Sequence, residues 1–86
     1  MREIVLDGNE MKTKVEMHDY LKNQFILPYY YARNLDSLYQ ILLKETDPIS
    51  ITLTNKESIA IGYGDALVLL FHDLSQKNPN YRFEVK

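Results

Sequence analysis

The 86-residue chain has ten basic and twelve acidic residues, for a net charge of −2, and 45% of its residues are hydrophobic. This length supports one hydrophobic core, and this composition is typical of folded globular proteins. The chain has no cysteine, which excludes disulfide scaffolds, thiolate zinc sites and cysteine nucleophiles. Its slightly acidic balance provides no basic surface for a phosphate backbone, so we expect no direct binding of nucleic acid.

The longest apolar run, residues 66–71, is far shorter than the roughly 20 residues of a membrane span. The N-terminus, Met1-Arg2-Glu3, does not lead into an apolar stretch of signal-peptide length. We therefore expect a single domain over residues 1–86 that lies in the cytoplasm and does not contact a membrane.

The first half of the chain predicts one strand and two helices. Residues Arg2 to Leu6 have a β-branched centre and stop at an Asp-Gly turn signal, as a short strand does. A capping-box pattern and apolar residues at helical spacing predict a helix over 14–25. Pro28 then predicts a structured loop from Leu27 to Arg33. Asn34 is a favoured N-cap for a second helix over 35–44.

The second half predicts two more strands and a long helix. Apolar and polar residues alternate over 49–54 and again over 81–86, which is the period of a strand. Residues 55–63 give only a weak indication of one helical turn, whereas 65–76 predict a helix. Long helical connections between strands make the neighbouring strands parallel. The expected fold is α/β, with a small three-stranded parallel sheet packed against three to four helices.

The two histidines are the first residues to consider for catalysis. His18 and His72 each precede an aspartate, but side chains at i and i+1 of a helix point about 100° apart and cannot pair as base and orienting group. We interpret both as surface residues. The sequence also has no zinc-binding motif, glycine-rich phosphate loop or nucleophile elbow. We therefore predict no catalytic residue, no cofactor, no metal site and no enzymatic activity.

The most informative segment contains three consecutive tyrosines, residues 29–31, before the second helix. At 100° per residue, a sector opposite the apolar stripe of that helix holds Asp36, Tyr39, Gln40 and Leu43. Tyrosine beside polar groups is typical of protein-binding surfaces. The alternative is that one or two of the tyrosines fill the core, that Asp36 only stabilises the helix N-terminus, and that Asp73 is a solvated surface residue.

This segment resembles the barstar family, the intracellular inhibitors of the ribonuclease barnase, through the run L-P-x-Y-Y-x-x-N-L-D-x-L at residues 27–38. The resemblance implies three parallel strands packed against helices. It also implies an inhibitor that covers the active site of its partner, a basic ribonuclease or a related toxin, and that is a monomer when free. By position, the resemblance assigns seven residues to partner binding: Tyr30, Asn34, Leu35, Asp36, Tyr39, Gln40 and Asp73.

The chain departs from the family at three positions of this segment. Gln40 is neutral where the family has its dominant aspartate, Arg33 stands at an acidic position, and Ala32 replaces a glycine. The loss of acidic character predicts weak electrostatic steering toward a basic enzyme. It also supports an alternative function: a protein-interaction or regulatory module of the same fold that does not inhibit a ribonuclease.

Overall fold

The computed structural model describes all residues, 1–86, and contains three strands and three α-helices. In chain order these are β1 (Arg2–Asp7), α1 (Lys14–Phe25), α2 (Leu35–Leu43), β2 (Ile49–Thr54), α3 (Tyr63–Lys77) and β3 (Tyr81–Val85). Two short 3₁₀ turns, Gly8–Glu10 and Lys56–Ser58, follow β1 and β2. None of the helices combines the length and the apolar character needed to cross a bilayer.

The strands form one sheet in the order β1-β2-β3, and both pairings are parallel. Ile4 lies beside Ile51, which in turn lies beside Phe83. The apolar residues of this row face the helices, because side chains alternate between the two faces of a strand. Glu3, Ser50 and Arg82 form a polar row on the opposite face. The predicted α/β class with a three-stranded parallel sheet is therefore confirmed.

The hydrophobic core lies between the sheet and the helices and consists of 18 buried residues. At its centre, the ring of Phe71 lies 6.0 Å from Phe25 of α1 and 5.4 Å from Phe83 of β3, centroid to centroid. Burial of one such ring contributes about 2 kcal/mol or more. This cluster fixes α3 against the sheet, which matters because α3 supplies one of the predicted site residues.

The main difference from the predicted boundaries concerns α3, which begins at Tyr63 rather than at residue 65. Gly62 is the N-cap of the helix and has a left-handed φ of 86°, and a Cβ on Gly64 would lie 3.1 Å from the Lys56 carbonyl oxygen. Gly64 therefore lies within the helix, where the absence of a side chain allows the Lys56 backbone to pack closely against it. The helical turn weakly predicted within 55–63 is a 3₁₀ turn, and the other boundaries agree within one residue.

Candidate functional site

The tyrosine loop is organised by a reverse turn. Tyr31 N–H donates to the Pro28 carbonyl at 3.0 Å, which places Tyr29 and Tyr30 at the tip of the turn. These two side chains are 93% and 65% exposed, whereas Tyr31 is buried at 6%. The rings of Tyr29 and Tyr30 meet edge to face with 5.6 Å between centroids. One tyrosine of the loop therefore fills the core, and two remain on the surface.

Tyr31 fastens the loop to α1 through His18. The Tyr31 hydroxyl lies 2.6 Å from His18 Nδ1, and His18 is only 2% exposed. The prediction of a surface histidine is therefore wrong for His18. The loop covers the flank of α1 that carries this residue, a contact that helical periodicity within α1 cannot reveal. His72, in contrast, is exposed.

The second nitrogen of this imidazole, His18 Nε2, is buried and has no hydrogen-bond partner. Burial lowers the pKa of His18, and the neighbouring cations Arg33 and Lys14 lower it further, against a smaller opposing contribution from Asp19. Burial also raises the pKa of Tyr31 to about 12. Both rings are therefore neutral at neutral pH, and their role is to hold the loop in place.

Helix α2 is fixed at both ends. At its N-terminus the Asn34 side chain accepts from Ser37 N–H at 2.7 Å, as the sequence predicted for an N-cap. At its C-terminus Asn78 Nδ2 donates to the Leu43 carbonyl at 3.1 Å, and the Tyr81 hydroxyl donates to the Leu42 carbonyl at 2.7 Å. No local sequence pattern indicates these C-terminal contacts, because they come from residues more than 30 positions away. A helix held in this way presents its outer face with little freedom.

The exposed ridge of α2 separates two grooves, which we name after their walls. The α2–α3 groove has a volume of about 330 Å³ and contains four of the seven predicted residues. The α2–loop groove has a volume of about 230 Å³ and contains two more, Tyr30 and Gln40. Asn34 lines neither groove, and its side-chain Oδ1 accepts the N-cap bond from Ser37 N–H. Six of the seven predicted residues therefore line two adjacent grooves, one on each side of α2.

The α2–α3 groove is apolar at its floor and acidic at its rim. Asp36 is exposed, and its side chain makes no hydrogen bond or ion pair within the chain. Asp73 stands across the groove on α3 with its side chain 52% exposed. The residues lining the groove are Leu35, Asp36, Tyr39, Ala66, Leu69, Leu70 and Asp73.

A hydrogen bond joins two of the predicted residues across this groove. The Tyr39 hydroxyl donates to Asp73 Oδ2 at 2.5 Å. This bond, and to a smaller extent burial, raises the pKa of Tyr39 above its usual value of about 10. It orients one carboxylate oxygen of Asp73 toward α2 and leaves the other oxygen available. Tyr39 and Asp73 are 34 residues apart, so only the fold makes them neighbours.

The α2–loop groove has a different electrostatic character. Gln40 is exposed and its side chain makes no hydrogen bond within the chain, and Lys44 lies one turn further along the same groove. Arg33 is turned away, since its Nη1 donates to Asp19 of α1 at 2.7 Å. Arg33 also adopts the left-handed region at φ 56°, which costs a non-glycine residue about 1 kcal/mol or more. The basic residue that departs from the family pattern is therefore tied to α1 and does not neutralise Asp36.

Sequence reasoning missed the apolar part of the surface on α3. Leu69 is 70% exposed and lies between Ala66 and Asp73 in the wall of the α2–α3 groove. No α3 residue other than Asp73 was assigned to this surface from the sequence, although residues at i, i+3 and i+7 of a helix share one face. No group of three or more His, Asp or Glu side chains is arranged to hold a metal ion.

Comparison with known protein families identifies the family of this chain. The family model described as Barstar (barnase inhibitor) matches residues 1–84. The chain belongs to the barstar family. A relative from Bacillus subtilis (strain 168), named "Putative ribonuclease inhibitor YrdF", is 40% identical over 58 residues, which are 66% of this chain. The aligned part spans 64% of that relative's length. The residues matched by the family model include all those that line the two grooves.

Proposed function

We propose that this barstar-family protein binds a ribonuclease or a related toxin in the cytoplasm and covers its active site with the outer face of α2, the tyrosine loop and Asp73. A ribonuclease site uses Arg, Lys and His groups to receive phosphate. Carboxylates on a rigid surface can satisfy those cations and exclude RNA. The partner therefore carries a cationic cavity that substrate phosphate and this protein occupy in turn.

The observation that carries this proposal is the pair of carboxylates at the α2–α3 groove. Asp36 has no partner within the chain, and Asp73 is held in position by Tyr39 at 2.5 Å. Asp73 is restrained by Tyr39 and has little conformational freedom to lose on binding, and Asp36 has no bond within the chain to break first; both features favour affinity. The exposed Tyr30 extends the same surface toward the loop.

The apolar floor compensates for the modest charge. Lys77 Nζ lies 3.9 Å from Asp73, and Lys44 lies on the other side of α2. Long-range attraction to a basic enzyme is therefore weaker than a purely acidic face would give. Aromatic and aliphatic contacts at Tyr30, Tyr39 and Leu69 supply the remaining affinity, since central aromatic residues dominate interfaces of this type.

A binding titration with a barnase-type ribonuclease, combined with an RNA-cleavage assay, tests the proposal. We expect Asp36→Ala and Tyr39→Ala each to raise the dissociation constant at least about tenfold. Glu3→Ala is the matched control, because Glu3 is an exposed carboxylate on the sheet face that points away from the helices. If the two site variants bind and inhibit as well as Glu3→Ala does, the proposed surface is wrong.

Gln40 favours a second candidate function, an interaction or regulatory module that does not inhibit ribonucleases. The α2–loop groove combines the neutral Gln40 with the cationic Lys44, an unfavourable lining for a cationic enzyme site. Gln40→Asp distinguishes the two functions. If the natural protein fails to inhibit and only Gln40→Asp inhibits tightly, the second function is favoured. Inhibition by the natural protein supports the first.

A further inference from the structure

The two outer edges of the sheet differ in how their backbone groups are satisfied. At the β1 edge, the Tyr20 hydroxyl accepts from Asp7 N–H at 3.0 Å and donates to the Val5 carbonyl at 3.3 Å. Edge strands with unpaired backbone groups are templates for pairing with another chain, and proteins commonly block them. Tyr20 blocks the β1 edge in this way.

The β3 edge has no such cover. Lys86 N–H donates to the Leu53 carbonyl, and the Asn80 carbonyl accepts from Ile49 N–H, both at 2.9 Å. In a parallel strand, the backbone N–H and C=O groups of every second residue point toward the same neighbouring strand. Since those of Asn80 and Lys86 point toward β2, those of Phe83 and Val85 point away from it. Tyr81 N–H is occupied by the Asn78 carbonyl at 3.1 Å. The free donors of this edge are therefore Phe83 N–H and Val85 N–H, and its free acceptors include the Tyr81 and Phe83 carbonyls.

These donors and acceptors are complementary to those of a second, antiparallel copy of the same strand. With Phe83 opposite its own copy, the two Phe83 residues exchange N–H and C=O bonds, and each Val85 N–H faces a Tyr81 carbonyl. Every free donor of both edges is then bonded. Tyr81 N–H, which already donates to Asn78, takes no part in the bonds between the two copies.

The side chains of β3 have the same complementarity. In this register Arg82 of each copy lies directly opposite Glu84 of the other, at the closely spaced type of antiparallel pair. Both residues are exposed on the open face of the sheet. On the opposite face the half-buried Phe83 and Val85, which is 45% exposed, gain apolar contact across the junction. Opposite charges and matching apolar groups therefore fall into register together.

We propose that two copies of this chain associate through antiparallel pairing of their β3 strands around a two-fold axis at Phe83, forming one continuous six-stranded sheet. The pairing is isologous, as in most homodimers. Because two five-residue strands form a smaller contact than the about 800 Å² per partner of a standard interface, the dimer is weak and depends on concentration. This proposal differs from the expectation of a free monomer and is independent of the proposed inhibitor function.

Sedimentation velocity over a concentration series up to about 1 mM tests the dimer. The natural chain should shift from its monomer mass of 10.1 kDa toward twice that value. Arg82→Glu and Glu84→Arg each place like charges opposite one another twice, so each should raise the dimer dissociation constant about tenfold or more. The double variant Arg82→Glu/Glu84→Arg restores opposite charges and should recover most of the loss. The matched control is Glu3→Arg, a charge reversal on the blocked β1 edge, which should leave the mass distribution unchanged.

Val85→Pro gives a second, independent test. Proline removes an N–H that points away from β2, so the bonds between β2 and β3 are kept while one edge donor per copy is lost. Circular dichroism checks that the variant folds. Its dimer dissociation constant should rise, as it does for the single charge variants. The proposal is overturned if the natural chain stays at 10.1 kDa throughout. It is also overturned if a dimer forms that the charge reversals and their recombination leave unaffected.

Discussion

Two tyrosine hydroxyls only eight residues apart are used in different ways. Tyr31 is buried and contacts the equally buried His18 at 2.6 Å. Tyr39 is half-buried at the surface and donates to the exposed carboxylate of Asp73 at 2.5 Å. Both bonds are short, and they join residues that are 13 and 34 positions apart. They differ in what surrounds them: a dry core in one case and an open groove in the other.

This difference separates residues that maintain the fold from residues that form the surface. A hydrogen bond in a low-dielectric interior is costly to break, because the abandoned group cannot turn to water. At the surface, water replaces a lost partner. We therefore expect changes at Tyr31 to affect folding and changes at Tyr39 to affect binding.

The largest expected effect is the loss of the Tyr31 side chain. Tyr31→Ala removes a core aromatic ring and leaves His18 without any partner, so the free energy of unfolding should fall by about 3 to 5 kcal/mol. Tyr31→Phe keeps the ring and should cost about 1 to 3 kcal/mol through the unsatisfied imidazole. Urea unfolding followed by circular dichroism measures both changes. Equal stability of Tyr31→Phe and the natural chain would show that the His18 contact contributes nothing.

The second prediction applies the same change to the exposed tyrosine. Tyr39→Phe retains the ring over the core and loses only the hydroxyl that orients Asp73. The urea midpoint should hardly move, whereas the affinity for the partner should fall about threefold to tenfold. Asp73→Asn should weaken binding at least as much, since it removes a charge from the same groove. A variant that lost stability without losing affinity would assign Tyr39 to the core.

The contrast also explains how much of the molecule could be predicted from its sequence. The helices and strands depend on local apolar periods, and they were predicted to within two residues. The choice among Tyr29, Tyr30 and Tyr31 was not predictable, because it depends on the turn after Pro28 and on the position of α1. Contacts across the fold, such as the one between Tyr39 and Asp73, have no local pattern at all.

The seven site residues were assigned through the resemblance, and their mutual geometry required coordinates. The helical angles correctly placed Asp36 and Gln40 on the outer face of α2. They did not indicate that the two residues would line different grooves on either side of one ridge. Leu69 was missed because it lies outside the apolar stripe that predicts α3, and its place in the groove depends on how α3 packs beside α2.

A third prediction concerns acid, where the buried contact should be sensitive and the exposed one should not. Burial lowers the pKa of His18 from its ordinary 6.5 in the folded chain. The unfolded chain therefore binds the proton first, and stability falls as the pH drops below 6.5 toward the folded-state value. Above about pH 6.5 both the folded and the unfolded chain have a neutral His18, so its contribution to stability is complete and constant.

Urea unfolding at a series of values between about pH 5 and 8 measures this loss. Carboxylates also titrate at the acid end, so His18→Gln is the control: its side-chain amide can still pair with the Tyr31 hydroxyl, but it has no imidazole to protonate. Its stability should depend less steeply on pH between 5 and 6.5 than that of the natural chain. Parallel curves would mean that His18 is protonated in the folded protein without penalty.

The smallest effect is expected in alkali, where the two tyrosines titrate for different reasons. Burial raises the pKa of Tyr31 to about 12, whereas the pKa of Tyr39 is raised chiefly by its hydrogen bond to Asp73. Asp73→Asn should therefore bring the pKa of Tyr39 back toward 10 and leave that of Tyr31 unchanged. NMR-detected titration of the ring resonances resolves the two residues. If the pKa values of both tyrosines fell in Asp73→Asn, the substitution would have moved α3. If the pKa of Tyr39 did not change, the 2.5 Å contact with Asp73 would be absent in solution.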